Sequence, residues 1–263
     1  MNKLTSLTKS WLGFDSIFPN ACQRIALSFL ANLDVGRNIR YREIVRKIKN
    51  HKEKAPSIME IGSGKVGITS YLKQQVIGVD ITFNDYPSLG YLKEHIYDGS
   101  TLEYQDNSYD YVISVDMLEH VPETKRKKII EEMLRVTKKF MILAFPCSNK
   151  SILYEKKLER IYIRSGQPLP KYLREHLQYG LPEEKKIVRI IEQGMALRNQ
   201  SNYEMKVIPN ENLRIWYLHE LCKSKGTVFY YSSMVIMKVV LFLMPFLYSA
   251  GDCYRKIIFV EKR

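Results

Sequence analysis

The chain has 263 residues, 45% hydrophobic and 26% charged, enough to bury one full core and near the upper end of single-domain lengths. Its 41 Lys and Arg against 28 Asp and Glu give +13, which favours an anionic partner, nucleic acid or phospholipid surface, without choosing between them. Cys22, Cys147, Cys222 and Cys253 are far apart and form no C-x-x-C pair; this excludes a disulfide framework, leaves no zinc motif and no expected metal, and points to reduced thiols in a cytoplasmic compartment.

Lys3, Lys9 and Asp15 interrupt the apolar runs at the start, so no secretory signal is expected. Residues 21–33 and 40–49 read as helices separated by a turn at Asp34-Val35-Gly36. Residues 37–54 carry eight basic and two acidic side chains, with Tyr41, Ile44, Val45 and Ile48 at helical spacing. Two readings stand for this segment: a surface helix seated on a sheet by that stripe, or an anion-facing edge.

From residue 58 the pattern changes to short apolar runs alternating with helices. Residues 58–61, 76–79, 94–97, 111–115 and 140–145 have strand character, and 65–75 and 123–138 read as helices, the second opened by Pro122. The alternation predicts an α/β fold: a Rossmann-like, mostly parallel sheet with helices on both faces. A basic helical region, 150–199, interrupted by Pro168, Pro170 and Gly180-Leu181-Pro182, has the position of a lid over the carboxyl edge of the sheet. Residues 203–208 and 254–261 read as the last strands, the first of them weaker, with an apolar helical insertion before the last. One domain results, with 1–54 as a helical cap, 55–149 as the cofactor-binding half, 150–202 as the lid, and 203–263 carrying the insertion at 211–250.

The most specific signal is Glu60-Ile61-Gly62-Ser63-Gly64-Lys65-Val66-Gly67, a glycine turn leaving a strand, followed by Val79-Asp80 at the end of the next. Glycines let the backbone approach a ligand, and an acid about 20 residues further on suits a ribose. Such a turn alone fits nicotinamide or flavin enzymes equally. Glu60 discriminates, because a carboxylate there would repel the pyrophosphate of a dinucleotide, whereas a cationic, phosphate-free ligand would be attracted directly or through water. The alternative for Glu60 is a side chain pointing to solvent.

Glu60-x-Gly62-x-Gly64, Val79-Asp80, the run from Asp98-Gly99 through Leu102-Glu103-Tyr104 to Ser108-Tyr109-Asp110, and Leu118-Glu119-His120-Val121 together resemble class I S-adenosylmethionine-dependent methyltransferases in order and spacing. The resemblance covers about residues 57–146. It implies S-adenosyl-L-methionine as cofactor, with the methionine portion held by Glu60, Gly62, Ser63 and Gly64. It further implies that Asp80 takes the ribose hydroxyls, Ile81 packs the adenine, and Asp98 with Gly99 meets the adenine amino group. Val115 would line the pocket through its backbone.

A sulfonium already activates its methyl group, so the protein must align an acceptor and, for a hydroxyl, remove a proton. His120, after the fourth strand, is the candidate catalytic base; the alternative is that His120 and Glu119 only orient the loop. Glu175-His176 in the lid is a second acid/base pair, with capping as its competing role. Methyltransferases acting on exocyclic base amines carry an Asn/Asp-Pro-Pro-aromatic turn where this chain has Asp116-Met117-Leu118-Glu119. Pro146-Cys147-Ser148 resembles a cytosine-C5 RNA methyltransferase turn, but it follows the wrong strand and lacks the partner cysteine, so Cys147 reads as a loop thiol. Nucleic acid is thus the less favoured partner.

Residues 228–250 are long enough to cross a bilayer, but Lys238 and Pro245 interrupt them, and a last strand rejoining the same sheet forbids a crossing. The segment is expected either to be buried or to dock on an anionic inner membrane face. These features predict methylation, with oxygen the expected atom, of a small-molecule or lipid/glycan-precursor acceptor. Two alternatives remain: a non-catalytic cofactor-binding or membrane-associated scaffold, and an RNA methyltransferase. Nothing in the sequence sets the oligomeric state.

Overall fold

Alternate residues of a buried strand face opposite sides of a sheet, so one apolar run supplies two packing layers. The computed structural model describes residues 34–50, 55–83 and 90–263; the helix expected at 21–33 and Cys22 lie outside them. Among the described residues, β1 (Ile58–Ile61), β2 (Val76–Asp80), β3 (Leu92–Ile96), β4 (Tyr109–Val115), β5 (Thr137–Pro146), β6 (Tyr203–Asn212) and β7 (Cys253–Lys262) form one sheet in the order β3-β2-β1-β4-β5-β7-β6. The first five run parallel, and β7 runs antiparallel to β5 and β6. The mostly parallel Rossmann-like sheet is as expected. Strand order reverses between β1 and β4, where open α/β sheets bind ligands at their carboxyl ends.

The helices are α1 (Val35–Lys49), α2 (Glu123–Val136), α3 (Asn149–Arg164), α4 (Lys171–Tyr179), α5 (Glu184–Leu197), α6 (Leu213–Ser224) and α7 (Thr227–Leu243). Met59, Ile61, Val112, Met141, Leu143 and Ile258 pack on one sheet face with α2 and α5 residues such as Ile130, Met133, Ile187 and Ile191. Their strand neighbours Ile58, Ile113, Ile142 and Ile257 face the other side, against Tyr41, Ile44 and Ile48 of α1. Each fully buried aliphatic side chain contributes about 1.5–3 kcal/mol, so this two-sided burial is the main source of stability. The stripe on α1 therefore seats the helix on the sheet, and several of its basic residues take internal partners: Arg37 donates to Gly67 O at 2.8 Å, and Lys47 to Glu261 at 3.0 Å.

Four local expectations are corrected. Asp34 is not in a turn but caps α1, accepting the Arg37 N–H at 3.0 Å, and the helix starts at Val35. The helix expected over 65–75 is only a 3-10 turn, Gly67–Ser70, because Gly67 has φ +47° and β2 begins at Val76. β6 extends to Asn212; as an edge strand it tolerates Pro209. The lid region divides, since α4 packs on the loop after β4 whereas α5 packs beside α2 on the sheet face.

Two buried polar groups tie these layers together. Glu60 on β1 is fully buried; its Oε1 accepts the Tyr41 hydroxyl at 2.6 Å and its Oε2 the Ile68 N–H at 2.6 Å, joining α1, β1 and the 3-10 turn. Arg255 on β7, 1% exposed, donates to Asp116 after β4 and, at 2.6 Å, to Glu211 on β6, joining the antiparallel strands to the parallel ones. Arg40 of α1 also pairs with Asp116, at 3.2 Å. Asp116 and Glu211 both adopt positive φ, +50° and +62°, strain of about 1–3 kcal/mol each that the shared guanidinium offsets.

Burial raises the Glu60 carboxyl from 4.5 to about 7 despite the Tyr41 and Ile68 bonds. The folded chain then binds this proton more tightly than the unfolded chain, and stability falls as pH rises from about 4.5 to 7. Urea denaturation at pH 5 and pH 8 checks this: Glu60→Gln is expected to lose less stability across the window than the parent, by up to about 3 kcal/mol. Equal losses would contradict it.

Candidate active site

The turn after β1 owes its shape to glycines. Gly62 and Gly64 have φ of +78° and +53°, conformations that side chains disfavour. A Cβ on Gly62 would come 2.5 Å from Met117 Cγ, whereas one on Gly64 would meet nothing within 4 Å. The turn thus packs against the loop after β4 at its start and lies open at Gly64. It is held to β2 by Gly62 N–H donating to Val79 O at 2.7 Å. Asp80, half-buried, accepts the Gly64 N–H on Oδ2 at 2.8 Å and the Ile81 N–H on Oδ1 at 2.7 Å. Both oxygens keep lone pairs for a vicinal diol.

Ser63 is buried, its hydroxyl donating to Gly64 O at 2.8 Å. Ile81 is 73% exposed, an apolar surface at the carboxyl edge of β2. Asp98 and Gly99 follow β3; the exposed Asp98 accepts the Ser100 N–H at 2.9 Å, and bonding from Ser100 holds its carboxyl below the usual range. Val115 ends β4 with its side chain in the α1-facing core. Glu60, Gly62, Ser63, Gly64 and Asp80 therefore converge on one turn, with Ile81, Asp98 and Gly99 at neighbouring strand ends. Glu60 does not point to solvent: it is buried, and two donors hold it at the back of the turn.

The second half of the site is the loop after β4. A 3-10 turn, Leu118–His120, is clamped by Arg126 of α2, whose Nε donates to Leu118 O at 2.9 Å and Val121 O at 3.0 Å. The same guanidinium reaches Tyr179 O at 3.1 Å, at the end of α4. His120 Nδ1 lies 2.7 Å from Glu175 Oε2, and His176 Nδ1 lies 2.7 Å from Glu155 Oε1. The two imidazole rings are 4.8 Å apart. Since an ionised carboxylate only accepts, each Nδ1 carries the hydrogen of its pair, which in a neutral ring leaves the Nε2 lone pair free.

Burial and the neighbouring His176 push the His120 imidazole below its usual range, against the pull of Glu175. Burial and Asp116 push the Glu119 carboxyl well above the carboxylate range. Asp116 behaves oppositely: burial would raise it, but Arg255 and Arg40 hold it low. The Cys147 thiol is pushed up to about 12 by burial, in keeping with an inert loop thiol. Although no metal was expected, Glu119, His120 and His176 form a group of potential ligands. The roles of Arg126, Met117, Tyr41 and Arg255 were not visible in the sequence, where Tyr41 stands out only as part of the apolar stripe of α1 and Arg255 as a charge preceding the apolar pair Ile257-Ile258.

Residues 59–145 match the sequence model of a family described as a methyltransferase domain. No curated protein sequence matches the chain. Similar solved structures include a phosphoethanolamine N-methyltransferase 2 of Haemonchus contortus in complex with phosphomonomethylethanolamine and S-adenosylhomocysteine, at 17% identity over 84% of this chain and 52% of that one, with a TM-score of 0.47. This chain thus spans about half the length of that protein. A possible histamine N-methyltransferase from Thermotoga maritima matches at 13% identity over 86% and 91% of the two chains, with a TM-score of 0.49. A putative methyltransferase from an antibiotic biosynthesis pathway of Anabaena variabilis matches at 16% over 84% and 98%, also at 0.49. The segment matched by the methyltransferase-domain model runs from β1 to the end of β5, about a third of the chain, and contains both the glycine turn and Asp80.

Proposed function

We propose that the protein methylates a hydroxyl oxygen of a lipid-linked or amphipathic small-molecule acceptor at an anionic membrane surface. Its cofactor, S-adenosylmethionine, supplies a methyl group already activated on a sulfonium. The residues fit that ligand: the turn is open over Gly64, Asp80 offers two acceptor oxygens, and Ile81 offers an exposed apolar surface. On this reading Asp80 holds the ribose diol, Ile81 packs the adenine, and Asp98 with Gly99 borders it. Gly62, Ser63 and Gly64 shape the methionine end, and Val115 closes the pocket wall. Glu60 acts from behind, fixing the turn and placing negative potential near the cation.

The acceptor must lie beyond Met117, where His120 presents Nε2. Glu175 orients that ring, leaving it able to take a hydroxyl proton as the oxygen forms its new bond. An amine could reach the same place, but it is nucleophilic when neutral and has less need of a base.

Helix α7 carries the membrane part of the proposal. Val228, Phe229, Val235, Ile236, Phe242 and Leu243 are 59–85% exposed and recur in pairs every seven residues, a single stripe two turns apart. The opposite face is seated by Met234, Met237 and Leu241 on Val35 and Ile39 of α1. No helix among the described residues is long and apolar enough to cross a membrane. A seated helix with an apolar outer stripe, on a chain of charge +13, suits the plane of an anionic interface.

Two measurements check the proposal. Asp80→Ala is expected to weaken S-adenosylmethionine binding by about 1–3 kcal/mol, the scale for losing a buried hydrogen-bonding partner; an unchanged dissociation constant removes Asp80 from the site. In flotation with phosphatidylglycerol-containing liposomes at low salt, the parent should rise with the vesicles and a Phe242→Ser/Leu243→Ser variant should not. A parent that stays at the bottom of the gradient sinks the docking.

A further inference from the structure

Between the loop after β4 and α4, two imidazoles and a carboxylate face one another across a small gap. Glu119, His120 and His176 each present one potential ligand atom, and these atoms lie within 4.8 Å of one another. Glu119 and His176 are 1% and 5% exposed, yet Glu119 Oε2 and His176 Nε2 have no hydrogen-bond partner among the described residues. Buried polar atoms are normally bonded, and buried charges are paired or bound to metal. Two orphaned buried polar atoms in one cluster call for a shared partner, and a metal ion would satisfy both.

The surroundings are built for that acceptor. Each Nδ1 is held 2.7 Å from a carboxylate oxygen, Glu175 for His120 and Glu155 for His176. Glu155 is itself fixed by the Tyr254 hydroxyl at 2.6 Å. Carboxylate–imidazole pairs of this kind set the tautomer and strengthen the other nitrogen as a metal ligand. Here they do so for both rings.

We infer that Glu119, His120 and His176 bind a divalent first-row transition-metal ion. Two imidazoles disfavour magnesium and calcium, which prefer all-oxygen sites. Three protein ligands leave a position open for another oxygen, the arrangement of catalytic rather than structural sites. Metal bonds of about 2.0–2.2 Å draw neighbouring ligand atoms to about 3–3.5 Å, so His120, the most exposed of the three at 30%, closes inward on loading. With the ion bound, His120 Nε2 is a ligand rather than a base, and the ion would take over the activation of an acceptor hydroxyl by making it more acidic. That role rests on the proposed methyl transfer; the binding of the ion does not.

The test titrates the chelator-treated full chain with CoCl2, ZnCl2 and MgCl2, by calorimetry and by the visible spectrum of bound cobalt. One equivalent of cobalt or zinc is expected, with magnesium at least about tenfold weaker. His176→Ala should weaken cobalt binding at least about 100-fold, and Glu155→Gln, a positioning change, about tenfold. His120→Ala, at a half-exposed side chain, gives a second ligand deletion should His176→Ala not fold. The inference is overturned if the parent takes up no stoichiometric cobalt or zinc, or if uptake survives both histidine deletions. S-adenosylmethionine titrated into the same metal-free protein reads the cofactor site separately: binding without metal uptake overturns only the metal site, and metal uptake without cofactor binding overturns only the cofactor reading.

Discussion

A carboxylate with no access to water sits at the centre of this fold. Glu60 projects from β1 into a space closed by Tyr41, Ile68 and Gly67, and it is stable there only because the Tyr41 hydroxyl and the Ile68 N–H each donate to one of its oxygens. Both donors are fixed by large-scale packing: Tyr41 by the seating of α1 on the sheet, and Ile68 by the 3-10 turn that replaces a longer helix. A Cβ on Gly67 would collide with the Glu60 carboxylate. The conformation of the cofactor turn, the position of α1 and the shortness of the following helix therefore share one cause, the need to satisfy this buried acid.

A second buried charge connects that half to the loop after β4. The loop after β4 touches Gly62 through Met117 and is anchored through Asp116 to Arg255 and Arg40. Arg255 stands on β7, so the reversed strand that completes the sheet also fixes the loop carrying Glu119 and His120. The neighbouring Tyr254 stacks on Trp216 at 3.8 Å and bonds Glu155, the partner of His176. The glycine turn, the loop after β4 and α4 are thus joined through two adjacent residues of one strand.

The strands were legible because their signal is local. Short strand-length apolar runs fall on all seven strands, and the glycine turn and Asp80 lie at the carboxyl ends of β1 and β2. The shortening of the helix expected over 65–75 to a 3-10 turn depends on a contact eight residues back, between Glu60 and the Ile68 N–H. Asp34 read as turn chemistry, and the same chemistry capped a helix. His120 and His176 were each visible as acid/base residues, but their approach across 56 positions, and the orphaned atoms between them, exist only in three dimensions. The apolar segment at 228–250 was read as either buried or membrane-docked; α7 is seated on one side and bare on the other, which periodicity alone did not resolve.

We propose that the turn from Glu60 to Gly67, with Asp80, selects a phosphate-free adenosyl amino acid over a dinucleotide. Calorimetric titration of the full chain with S-adenosylmethionine, S-adenosylhomocysteine and NAD tests this most directly. The account predicts stoichiometric binding of the first two and none of the dinucleotide, because a pyrophosphate would approach the backbone in front of Glu60. Binding of NAD without S-adenosylmethionine would contradict it.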